Sequence, residues 1–340
     1  MHSSGSSDEE DIVVVRRPRT FKQRILYFQM QETYEFNERF RLSYENFNII
    51  LNTIEPVLQH PTNRNHALTP KEQLQIALHW FGSGVQYHCI ADMHGVSKGT
   101  VCRVVKNVVN AINENLLIDT VRWPEDVGET INAFSNIAGM PLTCGVVDGT
   151  LIEIDAPSID EPIFVDRKGH HSINVLLICG PNLEFYYVNA NWPGSVSDAR
   201  VLRNSFISDR MEEGWRPFPG AVLLGDSIYP LKSWLIPPIL QNAGDPAQTR
   251  FLRAHQKTRR VVECAIGRLR EKFPCLNYLR VNPVYACNII KCAVALSNLA
   301  MMEGFVLNHA EEDDHVVEEV DEYVEGAEEK LHFFYNHFRN

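Results

Sequence analysis

Two aspartates interrupt short apolar runs in the second half of the chain, where a charged side chain is costly. Asp148 lies inside residues 144–150 (CGVVDGT), and Asp226 ends residues 222–226 (VLLGD). A carboxylate buried among apolar neighbours needs a compensating cation or hydrogen-bond donors. If both runs are adjacent strands that end in Asp, their oxygens meet at one end of a sheet. These runs therefore predict a sheet that presents acids at one edge.

The hydrophobic period changes near Leu142 and divides the chain into two blocks. Residues 21–115 repeat apolar side chains every three or four positions, as amphipathic helices do. After residue 142, short runs rich in Val, Ile, Leu and Tyr predict strands at 145–154, 173–179, 185–190 and 221–224. Helices are predicted at 197–206, 258–273 and 285–307. The order β, β, β, α, β followed by helices predicts an α/β protein with a mixed sheet (α+β).

The acidic charge of the chain lies in its two ends. Residues 303–340 hold twelve Asp and Glu against two basic residues, and residues 1–11 hold four acids and no base. Because the whole chain carries a net charge of −11, the body between these ends is mildly basic and could meet phosphate. We expect residues 1–20 and, within the acidic tail 308–340, residues 311–329 to be disordered, although the aromatic residues of 331–338 are enough to dock on the body.

Composition and cysteine spacing exclude several classes of protein. Apolar residues make up 44% of the chain, as in globular proteins, and no run approaches the ~18 apolar residues of a membrane-spanning helix. The eight cysteines form no CxxC pair and no zinc-binding spacing. We therefore expect a soluble, non-secreted protein with reduced thiols and no membrane partner.

Residues 87–112 have the pattern of a helix-turn-helix. Residues 87–93 predict a short helix, 94–96 a turn, and Ser97 the N-cap of a second helix with one apolar stripe. The opposite face carries side chains that can reach phosphates and base edges, and we predict DNA contacts from Lys98, Thr100, Arg103 and Lys106. A packed helical bundle with a solvated polar face explains the same pattern, and the sequence leaves both interpretations open.

Two further acids lie next to features that suit phosphate chemistry. Glu263 falls on a predicted helix beside three arginines, Arg259, Arg260 and Arg270, which could bind a phosphate. Asp198 ends residues 192–198 (WPGSVSD) at the start of a predicted helix. Simpler explanations are a salt-bridged surface helix for Glu263 and helix capping for Asp198. Hard carboxylate oxygens suit Mg²⁺ or Mn²⁺, and such ions could support an in-line displacement at phosphorus.

Four strings carry a more specific resemblance. Residues 145–150 (GVVDGT), 192–198 (WPGSVSD), 224–230 (LGDSIYP) and 260–270 (RVVECAIGRLR) resemble, in order, motifs of the PIF/Harbinger DDE transposases and their domesticated nuclease relatives. The resemblance implies a ribonuclease H-like catalytic core at 142–307 after a helix-turn-helix region at 21–135. It also implies Asp148, Asp198, Asp226 and Glu263 as ligands of a divalent metal cation. Topology favours Asp148, Asp226 and Glu263 as the triad.

The resemblance further implies a metal-dependent DNA endonuclease that works with a Myb-like DNA-binding partner protein. It implies localisation in the nucleus and also the cytoplasm, and it leaves a homodimer open. Two alternatives remain, namely a domesticated DNA-binding or scaffold protein that no longer cuts and an active transposase. Ile228 stands where this family usually has Gly after Asp-Ser, so we expect backbone strain at Ile228.

Overall fold

A five-stranded mixed sheet organises the second half of the chain. The structure is a computed structural model and describes residues 22–24, 34–62, 66–302 and 326–339. The strands are β1 Thr143–Glu153, β2 Ser172–Cys179, β3 Phe185–Pro193, β4 Val222–Leu224 and β5 Leu235–Ile236. Their order is β3-β2-β1-β4-β5, with β2 antiparallel to both of its neighbours β3 and β1 and with β4 and β5 parallel to β1. The predicted mixed sheet is confirmed, and β5 is a two-residue strand that the sequence did not predict.

Strand register brings Asp148 and Asp226 to the same level at one edge of the sheet. Val146 of β1 lies opposite Leu224 of β4, and the two strands run parallel. Asp148 and Asp226 each follow two residues later. The expectation that both aspartates end strands is wrong for Asp148, because β1 continues to Glu153 against its partner β2. Among the described residues, no strand lies beside β1 beyond Leu224, and Asp148 stands at this open edge.

Twelve helices are present in the described residues. Seven of these helices precede the first strand along the chain: α1 Tyr34–Phe40, α2 Tyr44–Leu58, α3 Pro70–Ser83, α4 Tyr87–His94, α5 Lys98–Asn115, α6 Leu117–Thr120 and α7 Val127–Ala138. The remaining helices are α8 Asp198–Arg203, α9 Phe206–Glu212, α10 Pro246–Lys272, α11 Pro283–Leu299 and α12 Ala327–His337. No helix in the part of the chain that the structure describes is long and apolar enough to cross a membrane.

Three helix boundaries differ from the sequence-based prediction. The helix expected at 197–206 is divided into α8 and α9, because the Ser205 side chain caps a new helix by accepting from the Ser208 N–H. The helix expected from residue 258 begins at Pro246, after the Asp245 cap, through a polar first half with little apolar periodicity. The helix expected to reach residue 307 ends at Leu299, and residues 303–307 lie outside the described residues.

The two faces of the sheet bury different cores. The N-terminal helices, α10 and α11 share one large core with the face of β1 that carries Val146. A smaller core, which includes Val147, Val201 and Trp234, covers the other face beneath α8 and α9. Because successive side chains of a strand point to opposite faces, Asp148 follows Val146 toward α10 and Gly149 faces α8.

The C-terminal helix α12 docks on the body through aromatic residues, as expected for 331–338. Phe334 and Tyr335 pack against Phe251 of α10, with ring centroids 5.9 and 5.3 Å from the Phe251 ring. Lys330 is buried and its Nζ donates to the Gly220 carbonyl oxygen at 3.0 Å. Residues 1–20 and 311–325, which we expect to be disordered, lie outside the described residues. The same expectation is wrong for residues 327–329, because they form the first turn of α12, which its docked aromatic residues hold in place.

Candidate active site

Asp148 is a largely buried carboxylate with a single cationic partner. Its side chain is 18% exposed, and its Oδ2 accepts from the Arg259 Nη1 at 3.2 Å. Its Oδ1 accepts from the Gly149 N–H at 3.0 Å. The pKa of Asp148 is raised to about 6, chiefly by burial and also by Asp226 and Asp198, against the opposing effects of Arg259 and the Gly149 N–H. The site is therefore short of positive charge.

Asp226 lies in the tight turn that follows β4. Its Oδ1 accepts from the Ile228 N–H at 3.0 Å, and its carbonyl oxygen accepts from the Tyr229 N–H at 3.2 Å. Ile228 is not among the residues with positive φ. The expected strain at Ile228 is therefore wrong, because this turn needs an N–H donor at residue 228 rather than a left-handed backbone.

Asp198 packs over the opposite face of β1. The Asn174 Nδ2 donates to the Asp198 Oδ1 at 2.6 Å and also to the Val196 carbonyl oxygen at 2.7 Å. A Cβ at Gly149 would lie only 2.2 Å from the Asp198 carboxyl carbon. Ser197, rather than Asp198, holds the N-cap position of α8. Helix capping therefore does not account for Asp198, whose carboxylate is aimed at the sheet.

Glu263 joins the site through Arg259. The Arg259 Nη2 donates to the Glu263 Oε1, one turn along α10, while Nη1 of the same guanidinium reaches Asp148. The salt bridge between Glu263 and Arg259 within α10 is present, and Arg259 also connects α10 to β1 through Asp148. Glu263 is half exposed, with 50% of its side chain accessible.

The three arginines near Glu263 have different surroundings. Arg259 is engaged by the acids, and Arg270 donates through Nη2 to the Thr150 Oγ1 at 2.8 Å and the Leu151 carbonyl oxygen at 2.5 Å. Arg270 thus ties α10 to the part of β1 that follows Asp148. Arg260 is exposed to solvent. DNA contact by all three stays a prediction.

Two polar residues of the site were missed in the sequence. Asn174 stands in the otherwise apolar strand β2, and a lone amide in such a strand is the signal that could have found it. Tyr229 is buried, and within the described residues its hydroxyl has no hydrogen-bond partner. Burial raises the pKa of Tyr229 well above its usual value, and Asp198, Asp148 and Asp226 raise it further. The Tyr229 hydroxyl therefore lies close to the acid cluster.

The donor set fits a divalent cation in chemistry. Arg259 pairs with Asp148 and Glu263, while Asp226 and Asp198 act electrostatically on Asp148. Hard oxygen donors of this kind suit Mg²⁺ or Mn²⁺. The buried, unpartnered Tyr229 hydroxyl is a further oxygen beside them. Across the described ranges, no three acid, His or Cys side chains already converge on one point as a metal site would require. Arg259 accounts for this, because it engages Asp148 and Glu263 itself.

The helix-turn-helix forms as the spacing predicts. α4 ends at Gly95, whose φ is +64°, and the Ser97 side chain caps α5 by accepting from the Thr100 N–H at 3.1 Å. Lys98, Arg103 and Lys106 are exposed, whereas the stripe that includes Val101 and Val105 is buried. The stripe packs into a helical bundle and leaves a basic face free, so both sequence-based interpretations stay compatible with the structure.

Comparisons with known proteins show the family to which the chain belongs. Residues 147–298 match the family described as DDE superfamily endonuclease. The Homo sapiens protein named "Putative nuclease HARBI1" is 34% identical over 254 residues, which cover 73% of this chain and 72% of that protein. The Xenopus laevis protein of the same name is 31% identical over 255 residues, covering 72% and 71%. The Arabidopsis thaliana "Protein ALP1-like" is 26% identical over 261 residues, covering 71% and 64%. No solved structure matches.

Proposed function

Because this chain belongs to the Harbinger transposase-derived nucleases of the DDE endonuclease superfamily, with its ribonuclease H-like core, we propose that it is a divalent-metal-dependent DNA endonuclease. One observation carries the proposal. Two residues beyond the paired Val146 and Leu224 lie Asp148 on β1 and Asp226 in the turn after β4, and both Asp226 and Asp198 act electrostatically on Asp148. Such a cluster is costly for folding and useful for holding a cation near a phosphodiester.

Each residue of the site has a separate task in the proposed hydrolysis of a phosphodiester bond. Asp148, Asp226 and Glu263 would hold the metal, with Asp198 as a fourth ligand. The bound metal would supply Lewis-acid chemistry, namely an activated water and charge stabilisation at the leaving oxygen. Asn174 fixes the orientation of the Asp198 carboxylate. Arg259 pairs with both Asp148 and Glu263 and offsets part of their charge.

DNA recognition is proposed for the helix-turn-helix and for a partner protein. The exposed Lys98, Arg103 and Lys106 lie on one face of α5, and Thr100 is half buried beside Ser97. Within the described part, Lys22 and Arg24 pair with Asp92 at 2.7 Å and Glu72 at 3.0 Å. We propose that a Myb-like protein supplies much of the sequence recognition. We also propose that the chain acts in the nucleus and occurs in the cytoplasm as well. A homodimer is one assembly open to it.

Plasmid cleavage tests this proposal. Purified wild-type chain is incubated with supercoiled DNA in Mg²⁺, Mn²⁺ or EDTA, with and without the Myb-like partner. Asp148→Ala, Asp226→Ala and Glu263→Ala are run beside Glu55→Ala, which removes an exposed acid of α2. We expect metal-dependent cutting in the wild type and the Glu55 variant and none in the other three. Cutting that survives Asp148→Ala contradicts the assigned site.

The second candidate is a DNA-binding or scaffold protein without catalysis. Arg259 favours it, because a guanidinium already partners two of the four acids. This candidate predicts DNA or partner binding that does not change with EDTA, and no cutting under any of the conditions above. An active transposase is distinguished by strand transfer in the same reaction.

A further inference from the structure

Gly267 lies in the interior of α10 without a packing reason. A Cβ built at this position would meet no heavy atom within 4 Å, and the residue is exposed. Glycine in the middle of a helix is destabilising relative to alanine, because the unfolded chain has more conformational freedom to lose. The described fold would therefore gain stability from alanine here, and the space beside Gly267 is open to a group from outside the chain.

The position of Gly267 relative to Glu263 indicates where a group that contacts α10 at Gly267 would lie. Residues four apart on a helix are neighbours on the same face, so Gly267 lies one turn beyond Glu263. Glu263 is half exposed and forms the outer side of the acid cluster. A group that uses the space at Gly267 therefore comes to rest beside this carboxylate.

Basic side chains flank Gly267 along the same exposed side of α10. They are Arg253, Lys257, Arg260 and Arg268, all exposed. In the described residues none of them pairs with an acid, and Glu263 and Glu271 are the two acids of this helix. From Arg253 to Arg268 the row spans about 22 Å at the helical rise of 1.5 Å per residue. An unpaired row of this length suits a linear polyanion.

We propose that Gly267, with Arg260 and Arg268 on either side, is the seat of a nucleic-acid backbone on α10. The missing side chain lets the sugar-phosphate strand approach the helix closely, and the two guanidinium groups bind its phosphates. The seat thereby sets the position of the strand beside Glu263. This inference rests on the proposed function, since it names where that function's DNA strand lies.

The seat predicts opposite effects of one substitution on stability and on binding. The full chain is titrated onto a fluorescent duplex oligonucleotide in EDTA, so that no cutting occurs, and thermal unfolding is recorded in the same buffer. Gly267→Ala should raise the Tm and weaken DNA binding at least about fivefold. Gly128→Ala is the matched control, because Gly128 is an exposed glycine of α7. It should leave DNA affinity unchanged.

The basic row is tested through the salt dependence of binding. Arg268→Gln should lower the slope of log affinity against log salt by about one, as expected for one lost phosphate contact. Arg122→Gln removes an exposed arginine that already pairs with Glu125 at 3.3 Å and should leave the slope unchanged. An acidic peptide of matched charge is titrated in parallel, and preference for it over DNA would overturn the assignment to nucleic acid.

The outcomes separate this inference from the proposed function. Wild-type DNA binding with normal metal-dependent cutting, together with unchanged affinity in Gly267→Ala, overturns the seat alone. A wild-type chain that binds no duplex even at low salt overturns both. A Gly267→Ala variant with a lower Tm also counts against the seat, because it would reveal a structural need for glycine.

Discussion

Arg259 of α10 donates to the Asp148 Oδ2 at 3.2 Å and, through its other terminal nitrogen, to Glu263. One guanidinium thus links the helix to the strand and partners two of the proposed metal ligands. The Arg259 and Asp148 side chains are 22% and 18% exposed, so the pair is only partly screened by water. This relationship makes the stability of the site depend on its charge state.

Arg259→Gln should destabilise the metal-free chain more at pH 7.5 than at pH 5. At pH 7.5 Asp148 is ionised and would lose its cation, which we expect to cost about 1–3 kcal/mol, whereas near pH 5 protonated Asp148 needs no partner. Urea unfolding at both pH values measures the difference, and added Mn²⁺ should restore part of the loss. Arg260→Gln, on the same helix without an ion pair, should change stability by less than about 0.5 kcal/mol.

Asp148→Asn should abolish cutting and stabilise the fold above pH 6. The pKa of Asp148 is raised to about 6 in the folded chain. Protonated Asp148 therefore contributes free energy of unfolding that is fully present below pH ~4 and is lost as the pH rises through about 6. The gain of the variant over wild type should therefore appear between pH 4 and 7 and reach about 1–3 kcal/mol, as chemical unfolding across that range would measure. If Asp148→Asn is less stable than wild type at pH 7.5, the ionised Asp148 carboxylate does not lack compensating positive charge in the fold.

Asp166→Asn should lower the stability of the fold, whereas Asp148→Asn should raise it. Although burial opposes it, hydrogen bonds from the Lys168 N–H at 2.8 Å, the His170 N–H at 3.1 Å and the Ser172 hydroxyl at 3.1 Å lower the pKa of this carboxyl. Its stabilising effect is present above the ordinary Asp value and is lost as pH falls through the lowered value. We therefore expect Asp166→Asn to destabilise the chain at pH 7, as the same unfolding series would show.

Gly149→Ala should disrupt the site although it adds a single methyl group. The new Cβ would lie 2.2 Å from the Asp198 carboxyl carbon, so either the carboxylate or strand β1 must move. We expect loss of cleavage and a destabilisation of about 1–3 kcal/mol, measured by plasmid assay and urea unfolding. Gly128→Ala is the control, and near-normal cutting by Gly149→Ala would show that Asp198 can reposition.

Asn174→Asp should be worse for cleavage than Asn174→Ala. Both remove the amide that holds the Asp198 Oδ1 at 2.6 Å, but the aspartate adds a like charge to a site already short of cations. Cleavage rates over a Mn²⁺ titration measure this, with the aspartate variant recovering only at higher metal concentration. Equal rates for both variants would mean that hydrogen bonding alone, and not charge, sets the position of Asp198.

His79 and His94 should make the helical region acid-labile. The two rings are buried, with the His79 Nδ1 and the His94 Nε2 3.0 Å apart, and burial lowers their pKa values to about 4 and about 3. Their stabilising effect is full above pH 6.5 and lost as pH falls toward those values. We expect stability to fall between pH 6.5 and 4.5 and the fall to be shallower in His79→Gln than in wild type. His60→Gln, at an exposed position, should keep the wild-type slope.

Much of the fold follows from local pattern. The strand at residues 173–179, the N-cap at Ser97 and the change of period near Leu142 are properties of neighbouring residues, and the structure confirms them. The family motifs predict all four acids as metal ligands, and that assignment stays a prediction. The division of the expected helix at 197–206 depends on the local cap at Ser205, a signal that the sequence holds and the prediction missed. The early start of α10 was not predicted, because tertiary packing rather than apolar periodicity stabilises its polar first half.

The sequence by itself determined which residue types the site has and their order along the chain. Only the tertiary structure decided their partners. Asn174 and Asp198 are 24 residues apart and Arg259 and Asp148 are 111 apart, so no local pattern could pair them. Strand register sets Asp148 level with Asp226, and the placement of α10 across β1 decides that Arg259 faces the acids while Arg270 binds the strand backbone. Long-range packing fixes such relationships, because it determines which of several chemically suitable side chains come within hydrogen-bonding distance.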